Sequence, residues 1–166
     1  MINRFICLCV VFCLAVVLQA QNNFKYRGEV DVEGGVAYNL NTAQTISTNN
    51  MQFYSSVTTS HGVQFKQFFI GLGAGYYHSY RDKENIYPVF GAFRYNWDNV
   101  KLRPFVGLRL GIAYDPYWIS KVQKYGAVSL GFKLNKKFLL GCRGTVFSRP
   151  SRYFTANAAL VLTYVF

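Results

Sequence analysis

The chain has 166 residues, of which 51% are hydrophobic and 18% aromatic, and it carries 18 Lys and Arg against 7 Asp and Glu. This length allows one domain, and 15 Phe with 13 Tyr exclude a disordered chain. Cys7, Cys9 and Cys13 lie near the amino terminus, which leaves only Cys142 for the rest of the chain. Neither a disulfide framework nor a cysteine-based zinc site is therefore predicted.

The first twenty residues have the pattern of a secretory signal peptide. Arg4 is followed by an uninterrupted apolar run from Phe5 to Leu18, and a small residue, Ala20, ends the segment. A membrane anchor is the alternative, but the run is shorter than the roughly 20 residues that a spanning helix needs. We expect a signal peptide at 1–20 and one folded domain at 21–166. Removal of Arg4 lowers the net charge from +11 to +10.

Side chains alternate between two faces along most of the remaining chain. In the segment 26–39, Val30 and Val32 share one face, while Glu29, Asp31 and Glu33 share the other. This two-residue period is typical of a β-strand with one apolar face. The same period predicts further strands at Met51 to Gln64, Phe68 to Tyr80, Tyr87 to Tyr95, Arg103 to Tyr114, Lys124 to Leu134, Phe138 to Phe147 and Phe154 to Phe166.

Eight such segments predict an all-β fold, an eight-stranded antiparallel up-and-down transmembrane β-barrel with a polar lumen filled by side chains. The strands are long enough for the ~9–11 residues that cross a bilayer obliquely. Tight turns alternate with longer polar loops, and in outer-membrane barrels the short turns face the periplasm. With an even number of strands, both termini are then expected in the periplasm.

The chemistry of the two faces argues against a soluble barrel. In the fifth predicted strand, Val106, Leu108 and Leu110 lie opposite Gly107 and Arg109. A continuous apolar face suits lipid, and a small or charged face suits a narrow lumen. Aromatic side chains are predicted to form an outer band of Tyr38, Phe53, Tyr76, Tyr87, Tyr114, Tyr125 and Phe154, and an inner band of Phe24, Tyr26, Phe65, Tyr95, Trp97, Phe138, Tyr164 and Phe166.

Inward charges predict a plugged lumen. Unpaired charges in a narrow interior would be costly, so they are expected to pair across the barrel. The interior of an eight-stranded barrel is only just wide enough for its side chains, which favours a plug over a gated pore. The predicted lumen charge network consists of Arg27, Glu29, Asp31, Glu33, Arg94, Arg109, Lys133 and Arg143.

Most other basic residues are predicted at the two rims, where lipid headgroups are the expected partners. Lys25, Lys66, Lys101, Arg103, Lys136 and Lys137 are assigned to the periplasmic side. Possible lipopolysaccharide contacts at the outer rim are Arg81, Lys83, Lys121, Lys124, Arg149 and Arg152. An export signal argues against the nucleic-acid binding that an isoelectric point near 9.6 would otherwise suggest.

The carboxyl end carries a ladder of large apolar residues. In the segment LVLTYVF, Leu160, Leu162, Tyr164 and Phe166 occupy every second position. Together with the segments His61 to Tyr80 and Tyr87 to Asp115, this ladder resembles small Gram-negative outer-membrane β-barrel families, similar in size to OmpX and the OmpA membrane domain. The resemblance implies that these four residues form an assembly signal for the barrel-assembly machinery.

No catalytic, cofactor or metal site is predicted. Lipid A-modifying barrel enzymes place a His and a Ser near the outer rim, but the neighbours His78 and Ser79 project to opposite faces of a strand. His61 lies on a different strand from His78, so the two do not make a metal site. We expect a monomeric protein with a structural, envelope-interaction or surface-binding role. The alternatives are a lipid A-modifying enzyme that uses His78, a narrow-pore channel and a soluble lipocalin-like carrier.

Overall fold

Eight β-strands close into a barrel in this computed structural model, which describes residues 24–41, 51–98, 101–116, 122–148 and 153–166. Every strand pairs antiparallel with its neighbours in sequence, and β1 pairs with β8 to close the sheet. The strands are β1 (Phe24–Asn41), β2 (Met51–Phe65), β3 (Phe68–Ser79), β4 (Asn85–Asn96), β5 (Pro104–Tyr114), β6 (Val122–Lys133), β7 (Phe138–Ser148) and β8 (Tyr153–Val165). The predicted fold class is confirmed, and the predicted signal peptide at 1–20 lies outside the described residues.

The two-residue period of the sequence becomes an inward and an outward face. In β7, Leu139, Arg143 and Phe147 are buried inside the barrel, whereas Leu140 and Cys142 are exposed on its outer wall. Successive side chains of a strand point to opposite sides of the sheet, and closing the sheet turns one side into a lumen. Within the described residues, no helix is long and apolar enough to cross a membrane.

The connections differ in length at the two ends of the barrel. At one end, called the turn end, lie the start of β1, the end of β8, the Lys66–Gln67 turn and the connections that follow β4 and β6. Asn135 stabilises the last of these, because its Oδ1 accepts hydrogen bonds from the backbone nitrogens of Lys137 and Phe138 at 2.8 and 2.9 Å. The opposite end, called the loop end, carries the connections after β1, β3, β5 and β7.

The outer wall is apolar. Its exposed side chains include Leu72, Val89, Leu110 and Leu160, each more than half accessible. A wall of this kind faces lipid rather than water, since soluble proteins rarely expose large continuous apolar surfaces. One residue of the predicted outer aromatic band belongs elsewhere: Tyr125 is buried inside the barrel.

Candidate functional site

The turn-end half of the lumen contains a layer of ion pairs built on β1. Alternation places Glu29, Asp31 and Glu33 on the inward face of this strand, and all three side chains are buried. The partners come from three strands across the sheet, because Arg94 lies on β4, Arg109 on β5 and Arg143 on β7. The three acids and these three arginines therefore meet across the lumen.

Glu29 has two arginine partners. Arg94 donates from Nη1 to Oε2 at 2.6 Å, and its Nη2 forms a second, shorter contact with Oε1. Arg27, on the same strand, donates from Nε to Oε1 at 2.8 Å. The Arg94 interaction is bidentate, which gives a geometrically specific and strong type of ion pair.

Asp31 lies at the centre of the layer. Arg109 forms a short ion pair with Oδ2, and Arg143 donates to the same oxygen at 2.7 Å. Arg143 also donates from Nη1 to Oε2 of Glu33 at 3.1 Å, so it bridges two acids. Arg109 in addition donates to the Thr58 hydroxyl at 2.9 Å.

The charges of this layer balance. Three buried carboxylates face the three buried guanidinium groups of Arg94, Arg109 and Arg143. Arg27 is a fourth base, but its side chain remains 14% accessible near the turn end. Because a buried charge without a partner would carry the full cost of desolvation, this balance is what permits so many ions inside a narrow barrel.

Lys133 does not join the β1 carboxylates. Its Nζ pairs with Asp98, in the connection between β4 and β5, at the turn-end mouth of the lumen. Lys133 is the last residue of β6, so its long side chain reaches a carboxylate that is 42% accessible instead of the buried acids deeper inside. The predicted pairing of Lys133 across the lumen is therefore wrong.

Aromatic rings surround the guanidinium groups. Arg94 lies 5.2 Å from the centre of the Phe69 ring and 5.7 Å from that of Phe105. Arg109 lies 4.6 Å from the centre of the Phe90 ring. Such cation–π contacts favour a desolvated guanidinium group. They also fill space, and the cavity between the ion pairs and the rings of Phe69 and Phe105 has about 20 Å³ available to water, room for about one molecule.

A second, aromatic layer occupies the loop-end half of the lumen. The rings of Tyr54 and Tyr77 stack with centroids 4.3 Å apart, and Tyr77 meets Phe147 at 5.2 Å. Tyr125 joins them, 5.4 Å from Phe147 and 5.5 Å from Phe90. All of these rings are buried. The lumen is thus obstructed twice, by ion pairs and by packed rings.

Sequence reasoning missed this aromatic layer, although the alternation contained the information. Tyr125 shares its face of β6 with Lys133, and Phe147 shares its face of β7 with Arg143. Since the sequence pattern predicts that both basic residues point inward, the same parity places both rings inside. The predicted outer band grouped residues by their height along the barrel and ignored parity for Tyr125.

The loop-end pair His78 and Ser79 does not form a catalytic relay. Ser79 is buried on the inward face of β3, whereas His78 lies on the outer wall, where its Nδ1 is 2.8 Å from Oδ1 of Asn85. Tyr76 donates to the same Asn85 oxygen at 2.8 Å. Across the described ranges, no group of three or more His, Cys, Asp and Glu side chains could hold a metal ion.

Among the described residues, charge is distributed unequally between the two rims. Among the described residues at the turn end, six basic side chains are exposed, and the acidic Asp98 is paired with Lys133. The six are Lys25, Lys66, Lys101, Arg103, Lys136 and Lys137. At the described part of the loop end, Arg81, Lys83 and Lys124 are offset by Asp82, Glu84 and Asp115. Lys121, Arg149 and Arg152 lie outside the described residues.

No family model matches the chain, and no curated protein matches it. Several solved structures share its fold. Neisserial surface protein A has a TM-score of 0.57 at 12% identity, over 85% of this chain and 97% of that one. The outer membrane enzyme PagL has a TM-score of 0.58 at 14% identity, over 81% and 98%. Ail, the attachment invasion locus protein of Yersinia pestis, has a TM-score of 0.52 at 10% identity, over 86% and 99%.

These likenesses cover nearly the whole of each solved chain, and at such low identities they show the fold. The fold is that of small eight-stranded membrane barrels, in agreement with the apolar outer wall. The predicted resemblance to small outer-membrane barrels is thereby confirmed at the level of the fold. The three proteins differ in what their names describe, a surface protein, an enzyme and an attachment protein, so the fold alone carries no activity.

Proposed function

We propose that this protein is an integral outer-membrane β-barrel with a plugged lumen and a structural, envelope-interaction or surface-binding role. The observation that carries the proposal is the filled lumen, in which a balanced layer of ion pairs lies next to a layer of packed rings. A transport path would need a continuous polar passage, and a soluble carrier would need a polar exterior. The outer wall of the described barrel is instead apolar.

Anionic lipids are the proposed partners at the rims. The exposed Arg81, Lys83 and Lys124 at the loop end are suited to contact lipopolysaccharide phosphates, and Lys121, Arg149 and Arg152 are proposed to join them. The six basic residues of the turn end would face phospholipid headgroups. A structure of Ail in complex with a heparin analogue, sucrose octasulfate, supports anion binding as a property that this fold can accommodate.

A role in catalysis is not part of the proposal. A lipid A-modifying enzyme would need a nucleophile beside His78, and the neighbouring Ser79 faces the lumen. The fold of PagL keeps this alternative worth a direct assay. Lipid A from a deletion strain should have the same composition as that of the parent strain, and a changed acylation pattern would favour the enzyme.

Assembly is proposed to use the outward ladder of β8. Leu160, Leu162, Tyr164 and Phe166 are all exposed on the outer wall, at every second position of the strand. Before closure β8 is an edge strand, and an apolar edge can pair with the sheet of an assembly machine.

Cell fractionation tests the location. We expect the protein in the outer-membrane fraction, resistant to extraction by carbonate, because its wall is apolar around the described barrel. A periplasmic binding protein should appear in the osmotic-shock fluid of the same cells. Recovery of this protein in that fluid would reject the proposal.

The deletion strain should in parallel be tested for envelope permeability and adhesion.

A further inference from the structure

Phe166 lies over a glycine at the seam where the barrel closes. Gly28 on β1 and Phe166 at the end of β8 form a mutual pair of backbone hydrogen bonds, each 2.9 Å long. The aromatic ring covers Gly28 so closely that a Cβ atom added there would lie 2.3 Å from ring atom Cε2. Only a residue without a side chain admits the ring in this position.

His61 closes the far side of the same notch. It pairs directly with Gly28 across the β1–β2 ladder, and its ring makes a T-shaped contact with the Phe166 ring, with centroids 5.8 Å apart and an angle of 71° between the ring planes. The three residues thus form one row across β8, β1 and β2. Phe166 contacts a strand beyond its hydrogen-bonded neighbour because the residue between has no side chain.

Both nitrogens of His61 have partners that hold its ring in place. Tyr26 lies 2.6 Å from Nδ1, and Thr59 Oγ1 lies 3.1 Å from Nε2. Since the Thr59 hydroxyl donates to the carbonyl of Glu29 at 3.1 Å, it is available to accept from Nε2–H, and Tyr26 then donates to Nδ1. This arrangement satisfies both nitrogens of an imidazole that lies on a mostly apolar wall.

We propose that Gly28 and His61, the latter held in place by Tyr26, form a binding site for the ring of Phe166, and that docking of this ring locks the β1–β8 seam. The site takes an aromatic ring, because Gly28 leaves space above β1 and the imidazole of His61 makes a T-shaped contact with the ring that fills this space. The pairing of Gly28 with Phe166 joins the first strand to the last, and such distant pairings carry the largest loop-closure entropy. The contacts of the Phe166 ring with Gly28 and His61, here called the Phe166 dock, add side-chain packing to the last backbone pair of the β1–β8 ladder.

The barrel provides a matched control for this site. Gly34 also lies on the outer face of β1, and a Cβ atom added there would have nothing within 4 Å. Gly28→Ala and Gly34→Ala therefore introduce the same methyl group on the same face of the same strand. The two variants differ in whether an aromatic ring already occupies the space that the methyl group would enter.

The test is refolding of the purified barrel into detergent micelles, followed by gel mobility and by thermal unfolding. We expect Gly28→Ala to slow folding and lower the unfolding midpoint, whereas Gly34→Ala leaves both close to the parent. Phe166→Ala should also lower the midpoint, and the double variant Gly28→Ala with Phe166→Ala should resemble Phe166→Ala alone, because the methyl group then meets no ring. Equal behaviour of the two glycine variants, or additive effects of Gly28→Ala and Phe166→Ala, would overturn the proposal.

A second pair of variants covers the case in which Gly28→Ala does not fold. His61→Ala and Phe166→Ala should be coupled: the unfolding midpoint of the double variant should fall by less than the sum of the two decreases caused by the single substitutions. Fully additive decreases in the unfolding midpoint would contradict a direct contact between His61 and Phe166. All of these measurements use detergent without an assembly machine, so they are independent of the cellular location, which fractionation tests separately.

Discussion

Asp31 is the residue on which the ion pairs of the lumen converge. It is 1% accessible and contacts both Arg109 and Arg143. Removing one member of a buried ion pair typically costs about 3–5 kcal/mol, because the partner remains buried without a counter-charge. We therefore expect Asp31→Asn to lower the midpoint of chemical unfolding of the detergent-folded barrel strongly, while the barrel still folds.

Asp98→Asn is the matched control for this prediction. Asp98 is likewise a paired carboxylate, with Lys133 as its partner, but the Asp98 side chain is 42% accessible. Exposed ion pairs contribute only about 0–1 kcal/mol to stability. Asp31→Asn combined with Arg109→Met should lose less stability than the two single losses added together. Similar small effects of Asp31→Asn and Asp98→Asn, with strict additivity, would show that the charge layer does not stabilise the fold.

At the scale of strands, the aromatic layer is expected to contribute to stability as a packed core does. Tyr77 on β3 is buried against Tyr54 and Phe147, so Tyr77→Ala should leave a cavity and cost about 3–5 kcal/mol in the free energy of unfolding. Tyr87→Ala removes the same side chain from the outer wall, where the residue is 43% accessible. When both variants are unfolded in detergent, the free energy of unfolding should fall further for Tyr77→Ala than for Tyr87→Ala. A larger loss for Tyr87→Ala would mean that the inner layer is poorly packed.

The last strand carries a prediction about assembly in cells. Deleting Phe166 shortens the ladder of β8 and removes the ring that lies over Gly28, so insertion should slow. Pulse-labelling followed by a gel assay for folded, heat-modifiable barrel measures the rate. Phe138→Ala, which removes another exposed aromatic ring at the turn end, should have the smaller effect. Unchanged assembly after the deletion would show that the β8 ladder is not the recognised signal.

The strands and the inward acids of β1 could be predicted because they depend on a local period of two. Parity alone assigns Glu29 to the same face as Asp31, and it assigns Arg109 to the face opposite Leu108. The partner of Lys133 could not be found this way, since the position of Asp98 depends on how the connection between β4 and β5 is placed. The contact of Phe166 with Gly28 and His61 could not be predicted either, because it depends on the register between β1 and β8, which no local sequence pattern contains.

At the scale of the whole molecule, the described barrel combines an apolar wall with an interior that two layers of side chains fill. The ion pairs block the turn-end half of the lumen, and the rings of Tyr54, Tyr77, Tyr125 and Phe147 block the loop-end half. An ion that crossed would have to displace both layers. With both halves of the lumen filled, we expect contacts with other molecules to be made at the rims and on the outer face of the barrel.

The same architecture predicts that the protein is not a general diffusion porin. Eight strands enclose a lumen only just wide enough for the side chains that fill it. Reconstituted into planar bilayers, the protein should give little or no stable conductance, and a large-pore porin reconstituted in parallel should give its usual steps. The variant Tyr54→Ala with Tyr77→Ala opens the aromatic layer but leaves the ion pairs between Asp31 and Arg109 in place, so it should remain closed as well. Large ohmic steps from the parent protein would mean that the lumen opens in a bilayer, and steps from the double variant alone would identify the rings as the principal barrier.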